Sequence, residues 1–115
     1  MQEILVTGGA GFIGSHTCIS LIESGYQVII ADDLSNSKLS VLSRIEEITR
    51  KNITFYQVDI CDEASLDRIF QKHDIAAVIH FAGKKAVGES VRIPLAYYRT
   101  NLYATISLCR AMQRN

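Results

Sequence analysis

The segment Thr7-Gly8-Gly9-Ala10-Gly11-Phe12-Ile13-Gly14 carries the most explicit chemistry in this 115-residue chain. It lies between a short β-branched run and an apolar helical pattern. Glycines there allow a tight turn and a close backbone approach, and the following helix N-terminus offers free N–H groups and positive dipole. Such a loop cradles a pyrophosphate. The dipole contributes about 0.3–1 kcal/mol when exposed and up to about 2 kcal/mol when partly buried. Because Gly8 and Gly9 are adjacent, both G-x-G-x-x-G from Gly9 and G-x-x-G-x-x-G from Gly8 are satisfied, and spacing leaves the subclass open. The competing reading is a strand-to-helix turn needed only for packing. Strand, helix and an acid at the expected distance together favour the dinucleotide reading.

That acid is Asp32, eighteen residues past Gly14 at the end of a second strand-like run. A carboxylate there accepts hydrogen bonds from adenosine ribose hydroxyls, each worth about 1.5–3 kcal/mol, and repels a 2′-phosphate. NAD is therefore expected over NADP, with Lys38 in the next loop as an opposing charge. Its neighbour Asp33 reads more simply as a solvated turn residue. Asp59-Ile60, after the third run, could bracket adenine, the carboxylate accepting from the exocyclic amine and Ile60 packing on the ring. Asp59 could equally be a turn or cap residue. Phe81-Ala82-Gly83 supplies small residues where a chain passes close to a pyrophosphate, followed by Lys84, Lys85 and Glu89.

Other catalytic constellations are missing from the sequence. His16, His73 and His80 lack metal-ligand spacing, and no G-x-S-x-G or H-E-x-x-H occurs. His80, inside an apolar run, is expected to be a hydrogen-bonded structural histidine.

The elements that must position these residues alternate regularly. Glu3 to Thr7, Gln27 to Asp32, Ile53 to Asp59 and Ala76 to Phe81 suit strands. The first, second and fourth are nearly continuous in apolar character, as expected of strands buried on both faces. Helical patterns intervene: Ile13, Thr17, Leu21 and Ile22; then Val41, Ile45 and Ile48; then Leu66, Ile69, Phe70 and His73 behind a capping Asp62. A fourth helix is expected to open at Pro94, with Leu95, Tyr98, Leu102, Ile106, Cys109 and Met112 on one stripe. Four β-α units imply an α/β fold, a Rossmann-like doubly wound parallel sheet of order 3-2-1-4. Ligands then bind beyond the carboxyl ends of the first and fourth strands, where the strand order reverses.

Composition sets the remaining bounds. The chain is 48% apolar, with 12 basic and 12 acidic residues, so no electrostatic footprint for nucleic acid or an anionic membrane is expected. At this length one domain buries roughly two thirds of its unfolded surface. The longest apolar run, Ile75 to Ile79, is far short of a membrane span, and acidic Glu3 stands where a signal peptide would be basic. Cys18, Cys61 and Cys109 form no C-x-x-C and are expected to be reduced core thiols in a cytoplasmic protein.

GGAGFIGSHT (Gly8 to Thr17), DDLSNSK (Asp32 to Lys38), HFAGKKAVGES (His80 to Ser90) and PLAYYRTNLYAT (Pro94 to Thr105) closely resemble the N-terminal part of the UDP-glucose 4-epimerases. These are extended short-chain dehydrogenases/reductases, and the resemblance runs the length of the chain. The glycine loop is shared across that superfamily, whereas the KAVGES loop is much narrower. The resemblance implies a tightly held NAD that takes hydride from C4 of a UDP-hexose and returns it to the other face of the 4-keto sugar. It assigns Gly8, Gly11, Phe12, Ile13 and Gly14 to the pyrophosphate, and Asp32, Asp33, Leu34, Ser35, Asn36 and Ser37 to the adenosine ribose. Asp59 and Ile60 would contact adenine. Phe81, Ala82, Gly83 and Lys85 would line the cofactor towards the nicotinamide ribose, with Asn101 steadying the active-site side. Lys84, Thr100 and Ala104 depart from the family pattern.

The superfamily's chemistry also needs a Tyr-x-x-x-Lys pair. Four residues after Tyr26, Tyr56, Tyr97, Tyr98 and Tyr103 stand Ile30, Ile60, Asn101, Leu102 and Ser107, none of them lysine. The chain is therefore expected to be a truncated cofactor half that cannot epimerise alone. A stand-alone NAD-binding module and part of another nucleotide-sugar dehydratase or decarboxylase are the competing readings. An interrupted sheet would leave a hydrophobic edge on the fourth strand and an uncovered stripe on the last helix, so self-association is expected, as in the homodimers of the family.

Overall fold

The computed structural model describes residues 2–34, 39–81 and 104–114. Its elements are β1 (Glu3–Thr7), α1 (Phe12–Glu23), β2 (Gln27–Asp32), α2 (Ser40–Thr49), β3 (Thr54–Gln57), α3 (Glu63–Lys72), β4 (Ile75–His80) and α4 (Ala104–Arg114). The four strands form a parallel sheet in the order β3-β2-β1-β4, as the sequence predicts.

The alternation of side chains along a strand sorts the core into two layers. Ile4 and Val6 of β1 and Val28 and Ile30 of β2 join Cys18 and Ile22 of α1 and Leu42 and Ile45 of α2. Leu5, Ile29 and Ala31 face the other way and meet Leu66 and Ile69 of α3 and Leu108 and Ala111 of α4. Each fully buried Leu or Ile contributes roughly 1.5–3 kcal/mol, more than helix propensities differ, so packing decides where these helices lie.

Several expectations need correction. β3 ends at Gln57, because Asp59 turns the chain: its carbonyl accepts from Asp62 N–H and its Oδ1 accepts from Cys61 N–H. β4 is not covered on both faces, since Ala76 and Ala77 are exposed. Ile48 of α2 is exposed, and Leu42 takes the buried place beside Ile45. Cys18 is a core thiol, whereas Cys61 is half-buried and Cys109 exposed; none of the three is in a disulfide. Burial pushes the Cys18 thiol up to about 12, which makes it inert. The expected opening of the last helix at Pro94 lies outside the described residues.

The expected cap of α3 is present. Asp62 Oδ1 accepts from Ser65 N–H at 3.4 Å and Oδ2 from Ser65 Oγ at 2.8 Å. Near the amino ends of β1 and β4, His73 Nδ1 lies 3.5 Å from Glu3 Oε1, and its Nε2 is 2.8 Å from Tyr56 Oη of β3.

Candidate functional site

Gly8 begins the loop with φ of 70°, a left-handed conformation that glycine adopts without penalty, and its N–H donates to Ala31 O at 2.8 Å. Its carbonyl then accepts from Gly11 N–H at 3.1 Å. A Cβ on Gly14 would stand 2.2 Å from that same carbonyl, so the first turn of α1 can sit against the loop only with hydrogen at this position. Gly9 faces the core instead, where a Cβ would meet Ile30 and Cys18. Gly8, Gly11 and Gly14 thus frame the loop around one carbonyl, which selects G-x-x-G-x-x-G, while Gly9 serves packing.

Gly11 is the N-cap of α1 and supplies no side-chain cap, and the first turn contains no acidic residue. The first N–H groups of a helix have no partner within it. On α3 a carboxylate of the chain itself fills that role; on α1 the amides and positive dipole are left for an anion. Ile13, in that first turn, is exposed. For Phe12, the structure describes the backbone at the start of α1.

Asp32 is 6% exposed at the end of β2. Its Oδ2 accepts from Ala10 N–H at 3.2 Å and its Oδ1 from Leu34 N–H at 2.8 Å. One carboxylate therefore ties the glycine loop to the β2 exit and closes a turn in which Leu34 has φ of 61°. Each carboxylate oxygen has two lone pairs, so a ribose hydroxyl can still be accepted. Asp33 is exposed, in keeping with a solvated turn residue.

The β3 exit differs from expectation in one respect. Asp59 is exposed and makes the turn contact to Cys61 described above, but Ile60 is 5% exposed and packs in the core with Leu66 and Ile69. Its side chain is directed to the protein interior and has little surface left for an adenine ring. Phe81 follows β4, its N–H donating to Thr7 O at 2.8 Å and its ring packing partly against the α1–α2 layer. Ser35, Asn36, Ser37, Ala82, Gly83, Lys85 and Asn101 lie outside the described residues.

Two contacts at this end were not anticipated by motif. Ala10 supplies the N–H that Asp32 holds, and Thr7 Oγ1 lies 2.5 Å from His80 Nδ1. The second had a signal: polar residues close two otherwise apolar strands. A cavity of about 420 Å³ opens elsewhere, at the amino ends of the strands between Glu3, Lys72, His73 and Asp74. It is remote from the carboxyl-end crevice to which the open-sheet rule directs ligands. Among the described residues no group of three metal-ligating side chains occurs, and no helix is long and apolar enough to cross a membrane.

Comparison with known proteins agrees with the fold. The sequence model of the family described as GDP-mannose 4,6 dehydratase matches residues 5–115. A UDP-glucose 4-epimerase of Bacillus subtilis (strain 168) is 57% identical over 113 residues, 98% of this chain and 33% of that protein. One from Dictyostelium discoideum is 54% identical over 114 residues, covering 99% of this chain and 33% of the relative. Among solved structures, UDP-glucose 4-epimerase of Bifidobacterium longum in complex with NAD+ and UDP superposes with a TM-score of 0.96 at 50% identity. It is matched over 98% of this chain and 34% of its own length. The Stenotrophomonas maltophila enzyme, with bound NAD and formylated UDP-arabinopyranose, gives 0.95 at 48% identity, with the same coverage. The chain spans about a third of the length of these relatives. It belongs to the family described as GDP-mannose 4,6 dehydratase, and the UDP-glucose 4-epimerases of Bacillus subtilis and Dictyostelium discoideum are among its relatives.

Proposed function

We propose that the chain is the NAD-binding part of a UDP-glucose 4-epimerase, and that it holds the adenosine and pyrophosphate end of the cofactor. The observation that carries this reading is the Asp32–Ala10 tether, which sets a buried carboxylate beside an uncapped, acid-free helix N-terminus. The residues fit the group: the loop is crowded enough that a Cβ at Gly14 would collide with it, and its amides face no competing carboxylate in the first turn. Gly11, Ile13 and Gly14, with the Phe12 backbone, would hold the pyrophosphate. Asp32 and the Asp33–Ser37 segment would hold the ribose. Asp59 would reach adenine, and Ile60 would contribute through its backbone. Phe81, Ala82, Gly83, Lys85 and Asn101 would continue the site towards the nicotinamide.

When bound, NAD supplies reversible hydride acceptance at C4 of the UDP-hexose. The part of that work assigned to this chain is binding and orientation. No tyrosine here has a lysine four residues later, so we assign the 115-residue chain no turnover by itself. A cytoplasmic setting is supported by three cysteines that form no disulfide, and self-association by exposed Ile106 and Met112 on α4.

Calorimetric titration with NAD, AMP and UDP-galactose tests the reading. NAD is expected to bind, AMP to bind more weakly, and UDP-galactose not to bind. Absence of NAD binding would overturn the cofactor assignment, and turnover of UDP-galactose by the purified chain would overturn the assignment of inactivity.

A further inference from the structure

We propose that Cys18 is a positioning residue for the phosphate loop: its thiol and the Asp32 carboxylate hold opposite edges of the Gly9–Ala10 peptide, and so set the direction in which the loop amides meet a pyrophosphate. The role rests on the nucleotide reading above and adds to it a side chain that touches no ligand.

A glycine motif names the positions that must be small and says nothing of what orients them. Gly9 has no Cβ, so its backbone torsions are little restricted and the plane of the peptide that follows it must be fixed by partners. Two are present. Cys18 Sγ donates to Gly9 O at 4.0 Å, and Ala10 N–H donates to Asp32 Oδ2 at 3.2 Å. In a trans peptide the C=O and N–H point in opposite directions, so the plane is gripped from α1 at one edge and from the end of β2 at the other. Gly9, Ala10, Cys18 and Asp32 are all buried, Cys18 completely. Turning the plane over would set its carbonyl against the Asp32 carboxylate, acceptor against acceptor.

Cys18 also bounds the space beneath the loop. A Cβ on Gly9 would stand 3.2 Å from its Sγ and 2.9 Å from Ile30. One turn earlier on the same face of α1, a Cβ on Gly14 would stand 2.9 Å from Gly9 Cα. The helix therefore seats the loop through two successive positions, Gly14 by being small and Cys18 by reaching a carbonyl. Burial, which pushes the thiol up to about 12, keeps its proton in place, so a group inert as a nucleophile is a constant, if weak, donor. Ala10 leads directly to Gly11, the N-cap of α1. The orientation of this one peptide is thus passed to the first amides of the helix, the groups left for an anion.

The test sets amide exchange of the ligand-free, isotope-labelled chain, read by NMR, beside NAD affinity from calorimetry and urea melts. Cys18→Ala is expected to speed exchange of the Ala10 amide about fivefold and to weaken NAD by about the same factor, the size of one weak hydrogen bond. Ile22→Val is the structural control, since Ile22 lies one turn further along α1 in the same core layer and is 4% exposed. It should lower the urea midpoint as a core truncation does, yet leave Ala10 exchange and NAD affinity within about twofold of the parent. Cys18→Ser serves if the alanine variant folds poorly: it is nearly isosteric, but its shorter C–O bond brings the oxygen no nearer to Gly9 O, whereas an O–H···O contact needs about 2.5–3.0 Å. It should speed Ala10 exchange as Cys18→Ala does. Ala10 exchange that stays within about twofold of the parent in both Cys18 variants, or that rises equally in Ile22→Val, would overturn the positioning role. Faster Ala10 exchange with unchanged NAD affinity would overturn it too, leaving the thiol a grip on the peptide that does not serve the pyrophosphate. A parent chain that binds no NAD overturns the nucleotide reading and this role with it, a failure distinct from unaltered Ala10 exchange in a parent that does bind.

Discussion

Asp32 does more than its spacing announces. From the sequence it is an acceptor for a ribose, yet in the folded chain both oxygens already hold backbone N–H groups, of Ala10 and of Leu34. Replacing it with alanine would orphan two donors, one of them buried, and leave Leu34 at φ of 61° without the contact that holds it there. Losing a hydrogen bond to a charged group costs about 1.5–3 kcal/mol, and we expect Asp32→Ala to lose about 2 kcal/mol of stability in urea melts as well as AMP affinity. Asp32→Asn separates the two effects poorly but informatively, because an amide has one accepting oxygen and one of the two N–H groups must then face an NH2. It should fall between parent and Asp32→Ala in stability. A fully stable Asp32→Ala that merely binds AMP less well would assign the carboxylate to the ligand alone. This double duty was not legible in the sequence, since the Ala10 contact depends on how the loop folds back over β2. The glycine subclass was illegible for a similar reason: Gly8 and Gly9 differ in what surrounds them, the loop for one and Ile30 with Cys18 for the other.

At the scale of elements, boundaries followed local chemistry where that chemistry was self-contained. Asp62 caps α3 through contacts within four residues, and β1 and β2 have the expected bounds because their apolar runs are flanked by turn residues. The face that α4 buries was less legible. Leu108 and Ala111 lie on one side and Ile106, Cys109 and Met112 on another, so periodicity identifies two apolar stripes and only packing chooses between them. The Asp62 cap also makes a pH-dependent prediction. Its hydrogen bonds to Ser65, first through the side chain and then through the backbone N–H, hold the carboxyl below its ordinary 3.8. A carboxylate whose folded pKa is depressed stabilises the fold above the unfolded value, and that contribution is lost as pH falls through the folded one. Asp62→Ala should therefore melt lower than the parent at pH 7, and the gap should close as pH drops below 3.8. Asp62→Asn, which caps without a charge, should remove the pH dependence of the difference. A gap that stays constant from neutral pH into acid would show that the cap does not depend on ionisation.

For the whole molecule, the question is what the surface implies about association. The two layers bury Ile4–Thr7 of β1 and Val28–Asp32 of β2, but among the described residues β4 is an edge strand, with Ala76 and Ala77 exposed. On the same side as α3, α4 leaves Ile106 at 48% and Met112 at 47% exposed, with exposed Cys109 between them at helical spacing. Isolated apolar side chains at a surface are ordinary, but three on one stripe of a helix already packed on its other side mark a face suited to a partner. A second copy of this chain is the partner that purified protein always supplies, so sedimentation velocity should show a concentration-dependent species heavier than a monomer. The double replacement Ile106→Ser and Met112→Ser separates association from folding. Substitutions at such half-exposed positions usually change stability by about 0.5 kcal/mol or less, because the core contacts of Leu108 and Ala111 are retained. The variant should therefore keep its melting cooperativity and NAD affinity while sedimenting as a monomer at every concentration. If the parent is itself monomeric at high concentration, the stripe does not mediate self-association. If the double variant associates as strongly as the parent, the contact lies on another face, with the exposed backbone of β4 the next to test, by a charge introduced at Ala76.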